Sequence, residues 1–161
     1  MPTPLHEVFL ARVVEEIQSR LREFTNSEGQ SKAFAQKVKH NGSGTLDLKS
    51  ENNDSQAIIK RQPDATFKHC DAHWPGVVIE VSYSQKSKAI PRLADDYILG
   101  MDGSIRVVVG LGTDYKTKKG TISMWRPCYL ENEQGQLELE AAQTVYNEVC
   151  TQIPIRILRY S

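Results

Sequence analysis

The stretch Val77-Val78-Ile79-Glu80-Val81-Ser82 decides the fold. It has strand length, and only Glu80 and Ser82 interrupt its apolar succession. A run this rich in β-branched residues is what a central strand, covered on both faces, requires. Residues 87–99 then change period. Pro91 stands near the start of a helix whose stripe is Leu93, Ala94, Tyr97 and Ile98, and Gly100-Met101-Asp102-Gly103 closes it. Ile105-Arg106-Val107-Val108-Val109-Gly110-Leu111 is a second buried strand. Two apolar strands joined by one helix predict a right-handed parallel crossover. The expected fold class is therefore α/β, a central mixed β-sheet flanked by α-helices.

Upstream, residues 4–25 read as an amphipathic helix with Thr3 as cap and Pro4 at its first position. Leu5, Val8, Phe9, Val13, Val14, Ile17, Leu21 and Phe24 fall on one broad face at about 100° per residue. A short helix over 31–39, a short alternating strand over 45–49 and another over 64–68 follow. Downstream, 116–120 is a basic turn and 121–126 an alternating strand. A strand is expected over 136–140 and a last one over 155–158, with an ambiguous stretch up to Cys150 between them.

The 161 residues suit a single domain, 1–161, long enough to bury a core without disulfides. Apolar residues at 39% and charged residues at 25% exclude a mainly disordered chain. No apolar run approaches the length of a membrane helix, so no membrane partner is expected. The first residues lack the basic-then-apolar pattern of a signal peptide. Twenty basic and twenty acidic groups cancel, which excludes a general polycation. Their distribution is uneven: residues 32–68 and 86–119 each carry seven basic and four acidic side chains. Cys70, Cys128 and Cys150 are odd in number and widely spaced, which argues for buried free thiols in a reducing, intracellular setting, cytoplasm or nucleus.

Two carboxylates stand out. Asp64 follows Pro63 at the start of an expected strand, and Glu80 sits between Ile79 and Val81. A buried carboxylate costs several kcal/mol unless a cation, a hydrogen bond or solvent meets it. Sixteen residues separate the two, room for a strand, a tight loop and an antiparallel partner. Opposed on neighbouring strands, their side chains would lie about 5 Å apart. Oxygen ligands at that spacing suit Mg²⁺ or Mn²⁺.

Pro63-Asp64, then Glu80-Val81 with Ser84, then a helix through Lys88 and Arg92 to Tyr97, then Val107–Val109, resembles the PD-(D/E)XK nuclease superfamily in its restriction-endonuclease-like branch. The resemblance covers about a third of the chain by motif. It implies a restriction-endonuclease-like fold and a metal-dependent nuclease hydrolysing phosphodiester bonds, in DNA rather than RNA. It implies Mg²⁺ or Mn²⁺ held by Asp64, Glu80 and the backbone carbonyl of Val81. An additional Glu on the first helix is frequent in the family, and Glu16, at the edge of the apolar face, is the candidate here. The family's lysine normally stands two positions after the acidic residue, where this chain has Ser82. The superfamily also carries that lysine on the following helix, which makes Lys88 a candidate and Arg92 another. The Gln85 amide is placed to contact the phosphate or the attacking water. A homodimer or a partner protein fits how such nucleases act.

Other readings stand beside these. A catalytically degenerate nuclease fold, kept as a binding or protein-interaction module, agrees with Ser82 in the lysine position and with the zero net charge. His69-Cys70-Asp71-Ala72-His73 offers transition-metal ligands at close spacing or serves as a polar connector. Lys116, Lys118 and Lys119 form a solubilising hairpin tip or a nucleic-acid clamp.

Overall fold

A computed structural model describes residues 4–26, 29–50, 57–83, 89–114 and 119–150. Its elements run α1 (Pro4–Thr25), α2 (Gln30–Lys37), β1 (Val38–His40), β2 (Leu46–Lys49), β3 (Ile58–Arg61), β4 (Ala65–His69), β5 (Val77–Tyr83), α3 (Ile90–Gly100), β6 (Val107–Asp114), β7 (Lys119–Glu131) and β8 (Leu137–Cys150). Six strands form one mixed sheet in the order β1-β4-β5-β6-β7-β8, and β2 pairs with β3 in a separate two-stranded ribbon. Among the described strands only β5 and β6 are parallel, with Val77 opposite Val107 and Glu80 opposite Gly110. The chain between them contains α3, as the apolar–helical–apolar pattern demands.

Alternation along β5 and β6 divides the core between the two faces of the sheet. Val78 and Val108 pack with Ala94, Tyr97 and Ile98 of α3. Ile79, with Val109 and Leu111 against it, packs with Val14 of α1 and with Ala65 and Phe67 of β4. Full burial of each such aliphatic side chain contributes about 1.5–3 kcal/mol. The β2–β3 ribbon lies over α3 through Leu46 and Leu48. Gly100 permits that approach, since a Cβ there would lie 2.8 Å from the Leu48 Cβ. Gly103 takes φ +72°, and its N–H donates to the Ile98 carbonyl at 2.8 Å, closing α3.

Several expectations need correction. The buried stripe of α1 is His6 and Val14, with Leu10, Ile17 and Leu21 beside them, while Val8 and Phe24 are about half exposed. The short helix ends at Lys37 because residues 38–40 pair with β4 as a strand. The expected strand at 121–126 reaches from 119 to 131, and that at 136–140 continues through the ambiguous stretch to 150. The two pair into a long hairpin, and that pairing decides the ambiguity in favour of strand. The ribbon strand β3 has no counterpart in the sequence reading. The Thr3 cap, the start of the 87–99 helix, most of the basic turn and the 155–158 strand lie outside the described residues. Among the described residues no helix is long and apolar enough to cross a membrane.

Candidate functional site

Asp64 and Glu80 come together where β4 begins and β5 runs past it. Ala65 pairs with Ile79 in the antiparallel register, so Asp64, one residue before β4, falls opposite Glu80. The Asp64 carboxylate bends across to β5, where its Oδ2 accepts the Val81 N–H at 2.7 Å. The same oxygen lies 3.3 Å from His6 Nε2, delivered by the first turn of α1. His6 is buried, and its ring tilts against that of Tyr83 at 5.9 Å.

Glu80 is buried on the α3 face. Its Oε1 accepts the Tyr97 hydroxyl at 2.6 Å. Burial raises the Glu80 pKa from 4.5 to about 7; the hydrogen bond from Tyr97 opposes that rise, the nearby Asp64 charge adds to it, and Arg61 opposes it. Tyr97 is fully buried, and burial first, then the facing Glu80, pushes its hydroxyl well above the ordinary tyrosine range. Tyr97 therefore acts only as a donor here, and Glu80 is held between its charged and neutral forms near pH 7.

The ribbon supplies a cation at this end of α3. Arg61 of β3 donates from Nε at 2.8 Å and from a terminal nitrogen at 2.6 Å to Asp96 Oδ2, in a partly buried pair. Nothing in the spacing of a short Ile58-Ile59-Lys60-Arg61 segment announces this role, because it depends on the ribbon folding back over α3.

Oxygen ligands remain available. His6 and the Val81 N–H both meet Asp64 through Oδ2, and Tyr97 meets Glu80 through Oε1, so Asp64 Oδ1 and Glu80 Oε2 have no such donor among the described residues. In a strand the N–H and C=O of one residue point to the same side. The Val81 carbonyl therefore faces the Asp64 side. Continuing the register would set it opposite Pro63, which has no N–H to donate. Two carboxylate oxygens and a backbone carbonyl with no ladder donor are a fitting set for a hard divalent cation. Tyr97 and His6 each hold one oxygen of a carboxylate, as partners of metal ligands do.

The other candidate residues fall elsewhere. Glu16 is exposed and pairs with Arg20 Nε at 3.0 Å. It lies ten residues along α1 from His6, a rise of about 15 Å. The structure does not bring Glu16 to Asp64, and the α1 side chain that arrives there is His6. The signal for His6 was its spacing with Leu10, Val14, Ile17 and Leu21, one continuous helical stripe whose first member is polar. Arg92 is exposed on α3 and bonds to neither Asp64 nor Glu80. Gln85 and Lys88 lie outside the described residues. Ser82 is buried on the same strand face as Glu80, so its position points toward the site while its side chain carries no charge.

His69, Cys70 and Asp71 form a second group, with ligand atoms within 4.8 Å of one another. Asp71 is exposed, and so is Cys70, while Cys128 is only partly buried, which corrects the expectation of buried thiols; Lys37 already pairs with Asp71 at 2.7 Å, holding that carboxyl below its usual range. His73 turns edge-on to Trp74 with ring centres 4.6 Å apart.

No known family model matches the chain, and no curated protein is significantly similar to it.

Proposed function

We propose that this protein is a metal-dependent nuclease of restriction-endonuclease-like fold that hydrolyses phosphodiester bonds, in DNA rather than RNA. The observation that carries the reading is the opposition of Asp64 and Glu80 at the start of β4, each with one oxygen held by a protein donor. A bound Mg²⁺ or Mn²⁺ would supply Lewis acidity toward a phosphodiester oxygen and a lowered pKa for its water. The chain's own residues do the rest. Asp64, Glu80 and the Val81 carbonyl bind the ion. The Val81 N–H and His6 fix the direction of Asp64. Tyr97 fixes Glu80 through one oxygen and leaves the other for the ion.

Ser82 cannot supply the positive charge that a lysine supplies in the superfamily. Lys88 and Arg92 are the candidates for that charge, and Gln85 for a contact to the phosphate or water. The protein acts inside the cell, where Cys70 and Cys128 stay as free thiols. It works as a homodimer or with a partner protein when both strands are cut.

The uncharged Ser82 favours one second reading, a degenerate nuclease fold that binds without cutting. Plasmid and single-strand cleavage with Mg²⁺ and Mn²⁺ decides between them. Cutting that needs the metal, and disappears in Asp64→Ala and Glu80→Ala while both variants stay folded, is the expected result. Metal binding without cutting in the wild-type protein would leave the binding module. The absence of both cutting and metal binding would overturn the nuclease reading.

A further inference from the structure

A cavity of about 270 Å³ opens on the α3 face of the sheet, reaching Ser82, two residues along β5 from Glu80. Its floor is Ser82, two positions after Glu80 on the same strand face, with Gly110 and Gly112 of β6. Gly110 is the register partner of Glu80, and Gly112 that of Ser82. Neighbouring side chains close directly over the two glycines: a Cβ on Gly112 would lie 2.4 Å from Thr121 Oγ1, and one on Gly110 2.7 Å from Ile90 Cγ2 and 3.1 Å from Trp125 Cζ3. Ile90, Pro91 and Trp125 form the apolar part of the wall.

The polar part is built by irregularity in β8. The β7–β8 register runs Ile122 with Glu148, Met124 with Val145 and Trp125 with Gln143, so β8 inserts one extra residue at each step. Such bulges re-aim side chains and concentrate beside functional sites. Here they bring Gln143 and Asn147 to the cavity wall, Asn147 with φ +45°. Asn147 Oδ1 accepts the Ser123 hydroxyl at 2.8 Å, and its own N–H donates to Ser123 Oγ at 3.0 Å. The Asn147 side-chain NH₂ is then a donor that no described residue takes up. Gln143 Nε2 donates to the Val145 carbonyl at 3.2 Å, which leaves Gln143 Oε1 as an acceptor.

None of the described residues lining the cavity is charged. A phosphate or a carboxylate would meet no cation there. A neutral planar molecule with a donor and an acceptor on its edge and an apolar face would meet an amide donor, an amide acceptor and the apolar wall of Ile90, Pro91 and Trp125. A donor and an acceptor from side-chain amides are what proteins use to read the edge of an adenine. The geometry points to a nucleobase pocket: the cavity beside Trp125, through Asn147 and Gln143, holds the base of a nucleotide whose phosphate lies at Asp64 and Glu80. The inference rests on the nuclease reading for the placement of the phosphate, and it requires the bound nucleotide to be unpaired, in a single strand or flipped out of a duplex, since a stacked and paired base cannot enter such a cavity.

The test uses the full chain carrying Glu80→Gln, without metal, so that nothing is cut. Binding of a labelled single-stranded oligodeoxynucleotide is compared with that of an abasic oligomer of the same length, by fluorescence anisotropy. The ordinary oligomer is expected to bind about tenfold tighter. Gln143→Met, which adds no charge, is expected to remove that difference while abasic binding stays constant. Asn147→Asp keeps the acceptor for Ser123 and tolerates positive φ, and it too should lose the preference. Thermal midpoints of both variants report that the fold is intact. Competition by a free nucleoside assigns the pocket to free nucleotides as well, whereas base-dependent oligomer binding without such competition assigns it to a strand; either keeps the pocket. Equal binding of ordinary and abasic oligomers, or a preference unchanged in folded variants, overturns it. These arms need no cleavage. A protein that prefers bases but never cuts retires the nuclease and keeps the pocket, and one that cuts without any base preference does the reverse.

Discussion

The Tyr97 hydroxyl donates to Glu80 Oε1 at 2.6 Å, joining the middle of α3 to the one carboxylate buried in β5. Tyr97 is fully buried and packs in the α3-side core, so its ring is fixed and its hydroxyl has one direction to point. Tyr97→Phe keeps the packing and deletes the donor. Stability at pH 8 should fall by about 2 kcal/mol, the scale of a hydrogen bond to a charged group. Divalent-metal affinity should fall about tenfold, as for other partners of metal ligands. Urea titration and isothermal calorimetry measure the two. An unchanged metal affinity would limit Tyr97 to a packing role.

Glu80 gives the metal-free protein an unusual pH dependence. Its pKa is about 7 in the folded chain, against 4.5 as the ordinary value. Below 4.5 both states hold the proton and nothing is lost. Between 4.5 and 7 the unfolded chain releases it while the folded chain keeps it, so stability falls as pH rises across this window. The full loss, present above 7, is about 3 kcal/mol. Glu80→Gln should abolish that fall and be more stable than the wild-type protein at pH 8 in chelator. Urea unfolding at pH 5 and pH 8 checks this, and equal pH slopes in the two proteins would contradict it.

Metal should reverse the same penalty. A divalent cation at a hundred times its dissociation constant adds about 3 kcal/mol to the folded state. Mg²⁺ or Mn²⁺ should therefore raise the unfolding midpoint of the wild-type protein at pH 8. Asp64→Ala should not respond, having lost a ligand and the group that caps the Val81 N–H. A response in Asp64→Ala equal to that of wild type would move the metal elsewhere, with the His69–Asp71 group the first place to look.

Arg61 and Asp96 hold the ribbon to α3 beside the carboxylates. Arg61→Gln leaves Asp96 with 12% of its side chain exposed and without its cation. A loss of about 1–2 kcal/mol is expected, reduced from the fully buried case because Arg61 reaches solvent. The variant should also raise the Glu80 pKa, since Arg61 is one of the groups that lowers it. A double-mutant cycle with Asp96→Asn should return a coupling of about 1 kcal/mol; additive effects would show the pair to be incidental.

The sequence by itself determined the parts whose signal is local. The 3.6-residue stripe of residues 4–25 gave the span of α1, and the apolar runs around Ile79 and Val108 gave two central strands with a helix between them. Pro63-Asp64 and Glu80 were legible as a pair, because a carboxylate inside a buried strand demands a partner and the spacing fits an antiparallel neighbour. The tertiary structure decided what meets that pair. His6 replaces Glu16 as the α1 side chain at Asp64, because a buried polar residue is placed by a partner 58 positions away and not by the helix that carries it. Tyr97 looks like any core aromatic until α3 lies on β5 and its hydroxyl finds Glu80. Arg61 and the bulged Asn147 depend on one ribbon folding over α3 and on one hairpin's register. Periodicity records which face of an element is apolar. It holds no record of which distant groups that face will meet, and the chemistry of this site lies in those meetings.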